Sequence, residues 1–236
     1  MVKTANLELP LVQAAQAQKH VTVNEALALL DAAAQLRLES ITVLDPPVEA
    51  ADGTVYFVPA GATGAWALEP GKLAVRANGG WVFVTPRAGW RAWVIDSAEA
   101  TMFDGVVWVH GSLSISPNGA ALQAKTVEID VELTAGAIVE TDPVIPATAV
   151  VIGVSGVVCE TITGTLSSWR VGVSGGEDRY GHGLGVSLGS WVQGVTGQPQ
   201  AYYAPTALRL EAEGGDFTGG RVRLAVHLLL VGIPRA

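Results

Sequence analysis

Along the first forty residues apolar positions recur with the period of a helix, and from about residue 52 onward with the period of strands. Thr22-Val23-Asn24-Glu25 has the spacing of a capping box, in which the Thr hydroxyl and the Glu carboxylate reciprocally satisfy free first-turn amides. It predicts a helix over about residues 22–39. Leu27, Leu30, Ala34 and Leu38 then fall on one face, with Leu29, Ala33 and Leu36 widening the stripe. A face that broad must pack on something, which makes Asn24, Glu25, Leu27 and Leu30 candidates for an assembly or anchoring contact. The preceding run 11–18 has helix-forming composition and little charge, and predicts further helix or an ordered arm at a subunit contact.

Short runs rich in aromatic and β-branched residues follow at 54–58, 73–76, 81–85, 90–95 and 106–110. Asp52-Gly53, Asn78-Gly79-Gly80, residues 86–89 and Asp104-Gly105 separate them with the residues that tight turns require. Trp66, Trp81, Trp90, Trp93 and Trp108 all lie in this stretch, as a small sheet needs large side chains to fill its core. After a polar segment at 111–120 the pattern is almost wholly strand-like, at 122–133, 149–162, 168–174, 186–191, 207–212 and 222–231. From Val127 to Leu133 the alternation is strict, so Glu128, Asp130 and Glu132 share one face and the aliphatics the other. The fold class is therefore mainly β: an N-terminal helix plus a small Trp-rich β module, then an antiparallel β-sandwich of jelly-roll-like kind. The predicted divisions are 1–45 (arm and helix), 46–110 (Trp-rich module), 111–121 (linker) and 122–236 (sandwich).

Composition narrows the function. Of 236 residues 49% are hydrophobic and 15% charged, enough to fold around a core and too apolar for charge-driven disorder. The net charge of −8 is spread evenly, with 7 basic and 11 acidic groups in both 1–120 and 121–236, and the four lysines end at Lys125. Nucleic acid is therefore not an expected partner, since phosphate neutralisation needs clustered cations. No uninterrupted apolar run reaches the roughly 20 residues of a membrane helix, and no secretory signal pattern opens the chain, so neither insertion nor Sec export is expected. Cys159 is the single cysteine, which leaves no intrachain disulfide; it is expected as a small core residue.

Catalytic signals are weak. Gly172-Val173-Ser174-Gly175-Gly176 fits the nucleophile-elbow string, but Glu177-Asp178-Arg179-Tyr180-Gly181 cannot open the apolar helix that the elbow needs. The four histidines lack metal-ligand spacing, and neither a P-loop nor a strand–GxGxxG–helix occurs, so no metal or cofactor is expected. The segment 175–185 gathers Glu177, Asp178, Arg179, Tyr180 and His182 between glycines; it reads first as a solvated connecting loop, next as a polar binding surface for sugar or protein, and least as a metal or acid/base site. Trp169, Tyr180, His182, Trp191 and Tyr202 lie in or beside polar, glycine-rich segments and are candidate sugar contacts, with core or interface burial the competing role for the tryptophans.

Taken together, Leu9-Pro10, Gln16 to Leu27, Leu30-Asp31, Pro46-Pro47, Asp52-Gly53, Gly64-Ala65-Trp66, Gly80-Trp81, Pro86, Gly89-Trp90 and Phe103 to Trp108 resemble the DUF2793 family over roughly residues 7–110. That family occurs in phage-like structural proteins and in the gene transfer agents of alphaproteobacteria. Tyr180 to Gly185 and Phe217 to Arg223 resemble the C-terminal domain of gene transfer agent head-spike proteins. The resemblance implies a non-enzymatic virion component, homo-oligomeric, joined to capsid or other spike and fibre subunits. Its N-terminal module would anchor or assemble the spike, and its sandwich would face the recipient cell's capsular polysaccharide. Particle assembly in the bacterial cytoplasm and release outside the cell go with it. A depolymerase spike and an architectural adaptor without glycan contact are the alternatives.

Overall fold

The structure, a computed structural model, describes residues 2–13 and 19–236, with backbone alone at residues 19 and 20. The expected helix or arm at 14–18 lies outside the described residues. The chain divides into two compact units, the first ending at Ser112 and the second beginning at Leu113.

In the first unit, helix α1 (Lys19–Ala34) is followed by strands β1 (Arg37–Leu38), β2 (Val55–Phe57), β3 (Leu73–Ala77), β4 (Gly80–Val84), β5 (Arg91–Val94), β6 (Glu99–Phe103) and β7 (Trp108–His110). They form two small sheets, β1-β5-β6-β7 and β2-β3-β4, with β1 and β5 parallel. Strand β6 was not foreseen, because its five residues carry no clear alternation. The hairpin β3–β4 turns at Asn78-Gly79, both at positive φ, as a two-residue turn of this hand requires. Asp52 caps the turn by accepting the amides of Asn78 (3.1 Å) and Gly79 (3.2 Å). Trp66 is fully buried, its ring centroid 5.4 Å from Tyr56 and 5.1 Å from Trp81. Trp108 is buried too, whereas Trp93 is largely exposed, so the tryptophan density is only partly a core property.

The helix departs from expectation at both ends. It is already helical at Lys19, which puts Thr22 and Glu25 inside it rather than in a capping box, and it stops at Ala34, so that Leu38 belongs to β1. Its buried side is Leu29, Asp31, Ala32 and Leu36 beyond its end, not the Leu27–Leu30–Ala34 stripe. The reason is the segment 2–12. It doubles back as a narrow hairpin (Thr4 N–H to Leu9 O, Leu11 N–H to Val2 O, both 2.9 Å) and docks on the helix. Buried Asp31 receives the Thr4 hydroxyl (2.7 Å) and the amides of Asn6 (2.8 Å) and Leu7 (2.6 Å). Seven residues earlier, Asn24 accepts the Val12 amide (2.9 Å) and donates to its carbonyl (3.0 Å), copying a strand's pairing with a side chain.

The second unit contains β8 (Ser112–Ile115), β9 (Ala121–Glu132), β10 (Ile138–Ile145), β11 (Ala149–Gly164), β12 (Ser168–Val173), β13 (Gly176–Leu184), β14 (Trp191–Tyr202), β15 (Thr206–Glu213) and β16 (Phe217–Val231). Two sheets run β14-β11-β16-β9-β8 and β10-β15-β12-β13. Counting β9 to β16 as one to eight, these are 6-3-8-1 and 2-7-4-5, the doubly wound order of a jelly roll. Alternation builds the core: Val222, Leu224, Val226 and Leu228 of β16 point inward with Val151, Val154 and Val158 of β11, against Leu208, Leu210, Trp169 and Val171 of the other sheet.

Four readings change. Residues 112–115, in the expected linker, are a strand of the larger sheet. Residues 138–145 form β10, masked in sequence by Pro143, which an edge strand tolerates because its outer amides need no partner. The segment 175–185 is mostly strand β13, also at an edge. The strand expected at 186–191 starts only at Trp191. Gly194 is fixed by a close approach: a Cβ there would sit 1.9 Å from the carbonyl oxygen of Tyr180, so β14 passes β13 only with a glycine at this point. Beyond it the pairing with β11 jumps from Gly153–Val195 to Val151–Gln200, so that 196–199 bulge out opposite Ile152.

Burial alone would raise the Asp31 carboxyl, but the Thr4 hydroxyl and the Leu7 and Asn6 amides outweigh it and hold its pKa below the ordinary range. Asp31→Asn, which keeps one acceptor oxygen for three donors, should lower the first unit's stability by about 1–3 kcal/mol. Hydrogen exchange of the Asn6 and Leu7 amides checks it, with faster exchange in the variant expected.

Candidate functional site

Three of the five candidate sugar contacts lie inside the sandwich. Trp169 is buried and its indole N–H donates to the Gly185 carbonyl (2.9 Å). Tyr180 and Tyr202 are buried with their hydroxyls 2.7 Å apart, Arg179 donating to the latter (3.4 Å). Burial, reinforced by the Tyr202 bond, pushes the Tyr180 phenol far above its ordinary value, so it stays neutral. Their ring faces meet core, not solvent. The polar and glycine neighbours that suggested a surface are the outward members of the same alternation. His182 is exposed on β13, where Glu213 pins the strand by accepting the Ser168 hydroxyl (2.7 Å) and the Gly183 amide (2.9 Å). Trp191 opens β14 with its ring mostly in solvent.

Trp191 belongs to the outer face of the five-stranded sheet, which changes character from one side to the other. On β9 and β16 it is an ion-pair ladder. Arg223 grips Asp130 with two guanidinium nitrogens (2.6 and 2.8 Å), and Arg221 reaches Asp130 (3.3 Å), Glu160 (3.0 Å) and Glu132 (3.6 Å). The Arg223 hydrogen bond holds the Asp130 carboxyl below its ordinary pKa. Midway, His227 shares hydrogen bonds with Ser155 (Nε2, 2.8 Å) and Thr126 (Nδ1, 3.3 Å). Across β11 and β14 the face turns apolar: Trp191 is 69% exposed, Val195 76%, Ile152 39% and Val157 37%. Cys159, expected in the core, is only partly buried.

Two concavities share Ser155 and Gln193 on this face. One, of about 320 Å³, is walled by Glu128, Val157, Trp191 and Arg223; the other, of about 420 Å³, by Ile152, Gly153, Val195 and His227. The sequence marked Trp191 as a candidate contact and Glu128, Asp130 and Glu132 as an outward row, but not the bare aliphatics of β11 and β14. Residues 149–158 are apolar at inward and outward positions alike, so the pattern reads as buried on both sides, and only the strand pairing shows which members are bare.

The outer face of the four-stranded sheet is built for rigidity. Glu211 is buried there between two guanidiniums: Arg170 donates through Nε (2.7 Å) and Nη2, and Arg209 through Nε, while Arg209 also reaches Glu140 (3.2 Å). Ser174 of the elbow-like string sits at the tip of the β12–β13 hairpin, with a strand after it in place of a helix. Among the described residues no group of three or more His, Cys, Asp or Glu converges to hold a metal ion, and no helix is long and apolar enough to cross a membrane. In the first unit Asn24 is committed to Val12, Leu27 is half-buried, and Glu25 and Leu30 face solvent.

With that geometry in view, comparison with known proteins places one part of the chain. Residues 23–109 match the family described as "Protein of unknown function (DUF2793)". The first unit carries a DUF2793 segment. It covers the helix and all seven strands of that unit apart from a few terminal residues, and none of the jelly roll. No curated protein matches the chain. Among solved structures, a chain of the "Cyanophage Pam1 capsid asymmetric unit" is similar at 21% identity and a TM-score of 0.33, covering 50% of this chain and 92% of that one.

For Glu211, burial raises the pKa, but the hydrogen bonds from Arg170 and then Arg209 outweigh it and hold the carboxyl below its ordinary 4.5. Its contribution is then complete above pH 4.5 and lost as pH falls through the lower folded-state value. Glu211→Gln takes the shared carboxylate from Arg170 and leaves Arg209 only Glu140, and should cost about 1–3 kcal/mol at neutral pH. Urea denaturation across the acid range checks this: the gap between wild type and variant should narrow below pH 4.5.

Proposed function

We propose that the chain is a non-enzymatic structural component of a phage-like particle such as a gene transfer agent. In this reading the DUF2793 unit anchors or assembles a spike or fibre, and the jelly-roll unit adheres to recipient-cell capsular polysaccharide. The observation that carries it is modular: one chain joins a DUF2793 unit to a separate jelly roll, an architecture that serves in viral capsids and in lectins alike. Fold does not dictate function, so the adhesive role rests on the sequence resemblance of both halves rather than on the sandwich itself. Weak sugar contacts repeated on an oligomer and again on a particle would combine through avidity.

The burial of Trp169, Tyr180 and Tyr202 favours a second reading, an architectural adaptor that connects particle subunits without touching glycan. Purified full-length protein added to capsulated recipient cells and to capsule-less mutants separates the readings. Adhesion predicts retention by the capsulated cells alone, with no new reducing ends released from purified capsule. Equal retention, or none, would support the adaptor; release of reducing ends would instead identify a depolymerase.

A further inference from the structure

We propose that the first unit carries a binding site for a carboxylated sugar, of the uronic acid class, in a groove across β1, β5 and β6. The strand pairing fixes its walls. Arg37 is the partner of Trp93 in the parallel β1–β5 pair, while Arg91 and Trp93 stand opposite Met102 and Ala100 in the antiparallel β5–β6 pair. Residues two apart on a strand share a face, so these five side chains project from one side of the sheet. It is the solvent side: Arg37, Arg91, Trp93 and Ala100 are exposed, whereas the intervening Leu36, Ala92 and Thr101 are buried. With those three side chains turned inward, a trough remains between the outward rows. A concavity of about 490 Å³ opens there, with Gln35 also on its wall. Small-molecule sites span roughly 300–1,000 Å³.

The walls select an anion. No Asp or Glu is among the lining residues, and neither Arg37 nor Arg91 has an ion pair or side-chain hydrogen bond among the described residues. Glu39, two residues beyond Arg37, does not line the groove. Two bare guanidiniums stand out in a chain of net charge −8 whose Arg170, Arg209, Arg221 and Arg223 are all held by carboxylates. Their diagonal placement on neighbouring strands sets the Cα atoms roughly 8 Å apart, so both long side chains reach one carboxylate, by the forked bonds that arginine favours. Trp93 supplies the other half. No guanidinium covers its indole, unlike that of Trp81, over which Arg76 sits at 5.2 Å. An exposed indole takes the C–H face of a sugar ring, and the Gln35 amide, donor and acceptor at once, suits its hydroxyls.

The same features disfavour other anions. Inorganic phosphate makes no use of the indole, and nucleic acid needs more clustered cations than two arginines in an acidic chain. An acidic peptide would seek backbone partners, but the peptide groups of the trough floor are committed to the pairing of the three strands. The site goes beyond the adhesive reading, which places glycan on the jelly roll, and stands or falls separately from it.

Titration of the full-length protein with tetragalacturonate tests the proposal, followed by the indole N–H signal of Trp93 in heteronuclear NMR and assigned with Trp93→Phe. The signal should shift and saturate with a Kd on the order of 1 mM or tighter, more weakly as salt is raised. Maltotetraose, of the same length without carboxylates, should leave it unmoved. Arg37→Gln and Arg91→Gln should each weaken binding on the order of 10-fold, with thermal unfolding unchanged because both side chains are exposed. The proposal is overturned by a silent Trp93 at about 10 mM tetragalacturonate, by an equal shift with maltotetraose, or by binding that survives both arginine substitutions together. An equal response to inorganic phosphate or to a tetraglutamate peptide overturns it too, leaving an unselective anion patch. Retention by capsulated cells with a silent Trp93 removes this site and leaves the adhesive reading standing; tetragalacturonate binding without retention does the reverse.

Discussion

The second unit depends on the pairing of β16 with both of its neighbours. Hydrogen-bonded to β9 along one edge and to β11 along the other, this strand lies in the middle of the larger sheet and sends Val222, Leu224, Val226 and Leu228 into the core. Because side chains alternate, the same pairing fixes what stands outside: Arg221, Arg223, Ala225 and His227 in a row. A shift of one residue would bury two guanidiniums and expose four aliphatics. The ion pairs of Arg221 and Arg223 with β9 and β11 therefore mark the register more than they add stability, since exposed pairs contribute little on their own.

The jelly roll was legible in sequence wherever one face of a strand is polar. From Val127 to Leu133 the carboxylates stand outside and the aliphatics inside as the alternation dictates. Where both faces are apolar, as on β11, or where glycines interrupt, as on β13, pattern alone does not assign a side. Tyr180 became a candidate sugar contact on the strength of outward neighbours such as Arg179, and for Trp169 the pattern left sugar contact and core burial both open; the pairing puts both in the core. On the helix the difficulty was the reverse. Leu27 and Leu30 form a plausible inner stripe, and what turns the helix the other way is a polar residue, Asp31, whose partners Thr4, Asn6 and Leu7 lie more than twenty residues away in sequence.

Buried polar chemistry is used in the two units for the same purpose by different means. In the first, a carboxylate that accepts a hydroxyl and two amides holds the segment 2–12 against the helix. In the second, a carboxylate set between Arg170 and Arg209 ties β12 to β15 across the sheet. In both, burial that would otherwise neutralise the acid is overcome by donors that all point at it, so these carboxylates remain ionised and structural. That leaves the outer face of the larger sheet, with its bare aliphatics and Trp191, as the surface of the jelly roll whose composition its own fold does not explain.

The bulge at 196–199 bears on how far any association can go. An open strand edge invites another strand to add, and then another, without limit. On β14 that edge is blocked near Gly194 by the passing backbone of β13 and then pushed out of line by four residues, one of them a proline with no amide to offer. The Thr196 hydroxyl ties the displaced stretch to the Ile152 carbonyl (3.1 Å), so the distortion is held rather than loose. A protein of low charge and high β content is by composition at risk of stacking into fibrils. The displaced edge removes β14 as a template for that growth.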